Sequence, residues 1–372
     1  MRTTKRLETI FVGIAALTAV ACANGPSRPA CRPPAADGEI GSICGFHGPE
    51  DLEYVRRPGL IVVSNLRLDG PLGEGGGFLA GFEPGEAPDV VRLWPTPSGA
   101  PAEPEPGLGD PTCTEPPPAD SFSPHGMTST TLEGDRVLLY VAAHTSAGRS
   151  REAIEIFEMR GRGKDTAVIW KACIPTAGAI QANDVALTPD GSVIVSNYQA
   201  DGSIRHTLLA ALLGIRSGNV MEWSRDAGWR VVPSTEAQLA NGVAVARRGE
   251  TVLFAETMTG RIRRVPLAGG GGEIDVDIGG NPDNFTRTPR GTLLIATHTG
   301  GTAFMACRFG RAPCTTSWAV YEVDPDTLAT RKVLEHDGSA VGAVATALEV
   351  DGLLYFGSVF DDRVGVMRIG AP

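Results

Sequence analysis

The sequence predicts an all-β fold, a six-bladed β-propeller with a short helical insertion near the active-site face. Three observations predict it. An apolar, strand-like run recurs six times after residue 58. Its 47 Gly and 28 Pro against 6% aromatic residues, in 372, favour many turns and few long helices. A short polar signature stands ahead of several of the runs.

Taken in chain order, the first segment reads as an export signal. Arg2, Lys5 and Arg6 precede IFVGIAALTAVA, an apolar run too brief to span a bilayer. It ends in AVAC, similar to a bacterial lipobox. Cys22 is therefore the candidate lipidated residue and the membrane a partner through that anchor, with plain secretion as the alternative. Residues 1–22 are assigned to the signal, 23–38 to a Pro-rich tether and 39–372 to the propeller.

The repeat follows as GLIVVSN (59–65), RVLLYVAAH (136–144), GSVIVSN (191–197), ETVLFAET (250–257), GTLLIATH (291–298) and GLLYFGSV (352–359). Starts lie roughly 40–75 residues apart, room for about four strands each. The runs are expected to be the inner strands of six blades, packed on both faces, with their polar ends near the central channel. Two segments break the rhythm. Residues 95–121 are too Pro-rich for a strand and predict a surface loop. Residues 204–215, IRHTLLAALLGI, have helical composition and predict either a helix over a blade edge or an apolar lid at the site mouth.

Charge and cysteines narrow the function. A formal charge of −10 argues against a nucleic-acid partner and is compatible with cation binding. Cys22 apart, Cys31, Cys44, Cys113, Cys173, Cys307 and Cys314 form an even set, as disulfides in an exported chain require. Cys307 and Cys314 enclose a short loop and are the expected pair; the other pairings stay open. No C-x-x-C spacing supports a zinc cluster.

The polar signature is the informative part. Glu50-Asp51 stand ahead of the first run, Asn183-Asp184 ahead of the third, Asn241 ahead of the fourth and Asp283-Asn284 ahead of the fifth. Equivalent positions in successive blades meet around a propeller axis, so these oxygens should face one another. Carboxylate and amide oxygens, six to eight at about 2.3–2.6 Å, are what Ca²⁺ takes. Glu50, Asp51, Asp184 and Asp283 carry enough negative charge for two such ions.

Read together, PEDLE, SFSPHGMT, ANDVAL, ANGVAV, PDN and the terminal GSVF resemble the paraoxonase family of six-bladed calcium hydrolases, and more broadly the gluconolactonase-like propellers. The resemblance runs through residues 45–370 in order. It implies that Glu50, Asn183, Asn241, Asp283 and Asn284 hold a catalytic Ca²⁺, and that Asp51, Asp184 and the Met127 carbonyl hold a structural one. It also implies His125 as base on water, His144 as its assistant and His298 on the substrate-lining wall. An imidazole near its pKa can accept a water proton at neutral pH, which suits that part. The family's ring-closing disulfide has no counterpart, since VGVMRIG lacks Cys; closure is left to β pairing or to a bridge from Cys31 or Cys44.

The expected activity is calcium-dependent hydrolysis of a small ester or lactone. A gluconolactonase-like sugar lactonase and a non-catalytic propeller with structural calcium are the alternatives. No G-x-S-x-G elbow is present, and HTSAG around Ser146 is the nearest approach. GGGG at 269–272 and GEGGGF at 73–78 lack the context of a phosphate site and read as loops. His47, His206 and His336 have no assigned part, the last two being expected at the surface.

Overall fold

The computed structural model describes residues 30–66, 76–145, 151–176, 180–198, 213–309 and 314–370. Among them, 24 strands form six four-stranded antiparallel sheets. Strand β1 (Gly41–Cys44) comes first in the chain but pairs with the last strand. The first blade is β2 (Pro49–Val55), β3 (Leu60–Asn65), β4 (Phe78–Phe82) and β5 (Val91–Trp94). The second is β6 (Phe122–Thr131), β7 (Val137–Thr145), β8 (Ala153–Arg160) and β9 (Ala167–Pro175). The third is β10 (Ala182–Leu187), β11 (Val193–Asn197), β12 (Asn219–Ser224) and β13 (Gly228–Val231). The fourth is β14 (Ala240–Val245), β15 (Thr251–Glu256), β16 (Arg261–Pro266) and β17 (Ile274–Asp277). The fifth is β18 (Asn281–Arg287), β19 (Leu293–His298), β20 (Trp318–Val323) and β21 (Thr330–His336), with helix α1 (Thr302–Phe309) after β19. The sixth is β22 (Val344–Val350), β23 (Leu353–Ser358) and β24 (Arg363–Arg368), completed by β1.

The six apolar runs are β3, β7, β11, β15, β19 and β23, the second strand of each blade rather than the innermost. The innermost strands β2, β6, β10, β14, β18 and β22 pack side by side around the axis. The reason is burial. A second strand has a neighbouring blade on each face: in β3, Leu60 and Val62 pack with Leu139 and Phe157 of the second blade. Ile61 and Val63 pack with Leu348 and Tyr355 of the sixth. Successive side chains point to opposite faces, so both must be apolar and the run is unbroken. An innermost strand faces the channel and can carry polar groups.

Ring closure rests on β pairing. Gly41 to Cys44 align antiparallel with Val366 to Arg363, and the Cys31–Cys44 disulfide ties the preceding segment to β1. The expected Cys307–Cys314 pair is formed, and Cys113–Cys173 is the third bridge. The Pro-rich segment is a loop, as read, but it is strapped along the edge strand β9. Glu103 N donates to Trp170 O at 2.8 Å, Glu105 N to Lys171 O at 2.9 Å and Asp110 N to Cys173 O at 2.8 Å. An edge so covered is unavailable to another strand.

Part of the predicted helix, 204–212, lies outside the described residues, as do residues 1–29, Ser146, 73–75 and His206. The helix seen near the site is α1, which was not expected. His336 is also corrected: it ends β21 half-buried, stacked on Trp318 with 5.3 Å between ring centroids, because that indole offers it an apolar face.

Beneath the strap, Glu155 is 1% exposed and accepts from Trp170 Nε1 at 2.7 Å and Arg151 Nη2 at 2.9 Å. Loss of water pushes its carboxyl from 4.5 up to about 7, against the opposing pull of Arg151 and Trp170. A carboxyl that holds its proton more tightly when folded contributes stability below its unfolded pKa and loses it as pH rises through about 7. Glu155→Gln cannot ionise. Its Tm relative to the parent should therefore climb between about pH 5 and about pH 8, by the equivalent of roughly 2–3 kcal/mol. A difference flat in pH would remove this account.

Candidate active site

Each innermost strand carries one residue more than its partner at one end. The register shifts lie between Pro49 and Asp51, Pro124 and Met127, Ala182 and Val185, Ala240 and Val243, Pro282 and Phe285, and Val344 and Thr346. Such a bulge bends the strand and re-aims a side chain. The residues within or bounding five of these bulges are those the sequence singled out: Glu50 and Asp51, His125, Asn183 and Asp184, Asn241, and Asp283 and Asn284. In the sixth blade the bulge holds Ala345 beside Thr346.

The bulged strands approach closely, and glycine permits it. A Cβ on Gly126 would stand 2.3 Å from Asp184 Oδ1 and 2.5 Å from Asp184 Cα. One on Gly242 would stand 2.3 Å from the Asp283 carbonyl oxygen. Side chains then bridge the blades. Asn284 Nδ2 donates to Glu50 Oε1 at 2.7 Å across the ring closure, and His125 Nε2 is 3.4 Å from the same oxygen.

Asp51 and Asp184 repeat one arrangement. Each carboxylate accepts from the next residue's N–H and from an N–H of the following blade. For Asp51 these are Leu52 at 2.8 Å and Met127 at 2.8 Å; for Asp184 they are Val185 at 2.7 Å and Val243 at 2.7 Å. Each backbone N–H in turn donates to a serine of the second strand, Ser64 or Ser196, at 3.0 Å. The Met127 N–H is thereby tied to Asp51.

The ring is electrostatically loaded. Burial and repulsion from Asp184 and Glu50 hold the Asp51 carboxyl well above the usual carboxylate range. Burial carries Asp184 up to about 8, against backbone N–H donors, with Glu50 adding to the rise. Burial also raises Asp283, while His298 opposes it. Burial pulls the His125 imidazole down, but Glu50, Asp283 and Asp184 more than offset this, and its pKa lies above the ordinary value.

Four buried oxygens in this ring, Glu50 Oε2, Asn183 Oδ1, Asn241 Oδ1 and Asn284 Oδ1, have no hydrogen-bond partner among the described residues. Leaving a buried acceptor unsatisfied costs about 1–3 kcal/mol. Such a set calls for a partner, and a hard cation fits amide and carboxylate oxygens. Three of the four are asparagine amide oxygens, so the asparagines belong to any ligand set built on these atoms.

The histidines occupy different stations. His144, at the end of β7, has Nε2 3.1 Å from His125 Nδ1 and Nδ1 2.5 Å from Glu152 Oε2. Sequence reasoning missed Glu152, which sits among the charges of RSREAIE with nothing to set it apart. His298 is 1% exposed, bonded through Nε2 to Asp283 Oδ2 at 2.8 Å, and lies under Phe304 of α1 with ring centroids 4.0 Å apart. It is thus Asp283's partner beneath an aromatic cover, not an open wall. Phe304 in turn meets Phe360 at 5.5 Å, and α1 was missed because a single turn-flanked helix leaves little periodicity.

Comparison with known proteins identifies the family and the fold. The profile of the arylesterase family matches residues 110–364, more than half of the chain. The chain belongs to the arylesterase family. It is an arylesterase-family β-propeller. The match begins after Glu50 and Asp51, whose place in the ring comes from the structure. Adipocyte plasma membrane-associated protein of Rattus norvegicus is 27% identical over 234 residues, 55% of this chain and 61% of that protein. Strictosidine synthase-like 8 of Arabidopsis thaliana is 25% identical over 220 residues, 50% of this chain and 56% of that one. The chain thus spans less than two thirds of either curated relative. A gluconolactonase from Xanthomonas campestris has the same fold, with a TM-score of 0.50 and 15% identity over 92% of this chain and 97% of its own.

Within this arylesterase-family ring, Gly126→Ala should force β6 away from β10. An expected loss of about 1–3 kcal/mol, read as a lowered Tm, follows from overpacking backbone against backbone. An unchanged Tm would mean that the strands are not in contact there.

Proposed function

We propose that the protein is a calcium-dependent hydrolase of carboxylic esters, of the lactonase and arylesterase kind. The observation that carries the reading is the set of four buried oxygens, on four different strands, that have no partner among the described residues. Glu50, Asn183, Asn241, Asp283 and Asn284 would hold a catalytic Ca²⁺. Asp51, Asp184 and the Met127 carbonyl would hold a structural one. When bound, the catalytic ion polarises the ester carbonyl and offsets the negative charge that develops on it.

The chain supplies the rest. His125 takes the proton of the attacking water at Nε2, the nitrogen on the Glu50 side. His144 backs it, with its Nε2 at 3.1 Å from His125 Nδ1. His298 keeps Asp283 aimed inward. Phe304 and Phe360 offer an apolar surface beside the site, suited to a moderately hydrophobic ester or lactone. The paired histidines favour this reading over a sugar lactonase.

The reading includes export. Three disulfides are the mark of an oxidising compartment, and a basic-apolar leader ending at Cys22 agrees with an envelope lipoprotein or a secreted protein.

The test is turnover of phenyl acetate and a γ-lactone by the purified chain, with a metal count on the same sample. EDTA should abolish turnover and lower Tm, and Ca²⁺ should restore both. His125→Gln should cut kcat by about 10²–10⁴ while leaving the metal count intact. Turnover that survives EDTA, or full activity in His125→Gln, would overturn the proposal.

A further inference from the structure

We infer that Glu152 is a positioning residue for the hydrolytic site, fixing the proton arrangement that leaves His125 Nε2 free as a base. The inference rests on the reading of His125 as the base on water and extends it to a third side chain.

The geometry is a chain of hydrogen bonds with one possible direction. Glu152 Oε2 lies 2.5 Å from His144 Nδ1, and both side chains are 25% exposed. An ionised carboxylate has no proton to give and only accepts. Nδ1 of His144 must therefore carry the hydrogen, which leaves Nε2 of the neutral ring with a lone pair. That lone pair, 3.1 Å from His125 Nδ1, can only accept, so His125 carries its hydrogen on Nδ1. The remaining nitrogen, His125 Nε2, is then the acceptor, and it is the one 3.4 Å from Glu50 at the ring. One surface-facing carboxylate thus sets the tautomer of two rings in series. The ring faces are also fixed, His125 and His144 meeting edge to face with centroids 5.2 Å apart.

The orientation has a consequence for the reaction. When Nε2 of His125 takes the proton from water, positive charge appears on an imidazole only 16% exposed. The bond from its Nδ1–H to His144, and from His144 to Glu152, carries stabilisation of that charge outward to a carboxylate. Glu152 stands one imidazole beyond His125 and reaches it only through His144, so its removal should act on kcat rather than on KM.

Two readouts test this. The first is the histidine side-chain ¹⁵N spectrum without substrate. His144 should be the Nδ1–H tautomer in the parent and revert toward the Nε2–H form in Glu152→Ala. The second is phenyl acetate turnover with Ca²⁺ present. Glu152→Ala should lower kcat by about 10- to 100-fold with KM within about twofold, and Glu152→Asp should recover most of the loss. Melting curves establish that each variant is folded. An unchanged His144 tautomer in folded Glu152→Ala, or unchanged kcat against an active parent, would overturn the inference. A parent that hydrolyses no ester would instead sink the proposed function, while the tautomer measurement would still decide what Glu152 does.

Discussion

The centre of the molecule depends on one constraint: six strands must lie side by side around an axis with almost no room between them. Regular strands would present alternating side chains to that space and fill it. The additional residue in each innermost strand turns short polar side chains into the gap instead. Gly126 and Gly242 let the turned backbones touch. The carboxylates of Asp51 and Asp184 then bind N–H groups of the next blade, so the groups that load the ring with charge also fasten it.

The pattern repeats in the supporting residues. Asn65, Asn197 and Glu256 close β3, β11 and β15, and each accepts from a backbone N–H ahead of its inner strand, that of His47, Gln181 or Gln238, at 2.9 Å. The SN ending shared by the first and third runs has this origin. A serine supports the aspartate of the inner strand while the asparagine holds the approach to it. The polar ends of the first, third and fourth runs are therefore scaffolding for the bulged strands beside them.

This explains what could be read in the sequence. Two buried faces force an unbroken apolar run, so six runs announced six blades. The pairs Glu50-Asp51, Asn183-Asp184 and Asp283-Asn284 were visible because short polar residues ahead of a core strand are conspicuous. Which strand is innermost was not legible from apolarity alone: the unbroken run marks a strand covered by a blade on each face, whereas the strand at the axis carries the polar residues. Glu152 was hidden for another reason: its value lies in a 2.5 Å contact with His144 that no spacing rule foretells. The Cys31–Cys44 and Cys113–Cys173 pairings depended on where the N-terminal segment and the Pro-rich strap fold back, which is a tertiary matter.

The pairing of β1 with β24 also dictates an order of events. Among the described strands, the one that seals the ring is made before the rest of the propeller and waits for β24. Until Arg363–Arg368 arrive, it presents unmatched backbone donors and acceptors, the kind of edge that recruits wrong partners. Assembly of the propeller is thereby gated by contact between β1 and β24, far apart in the chain, a slow search that local hairpins cannot shorten.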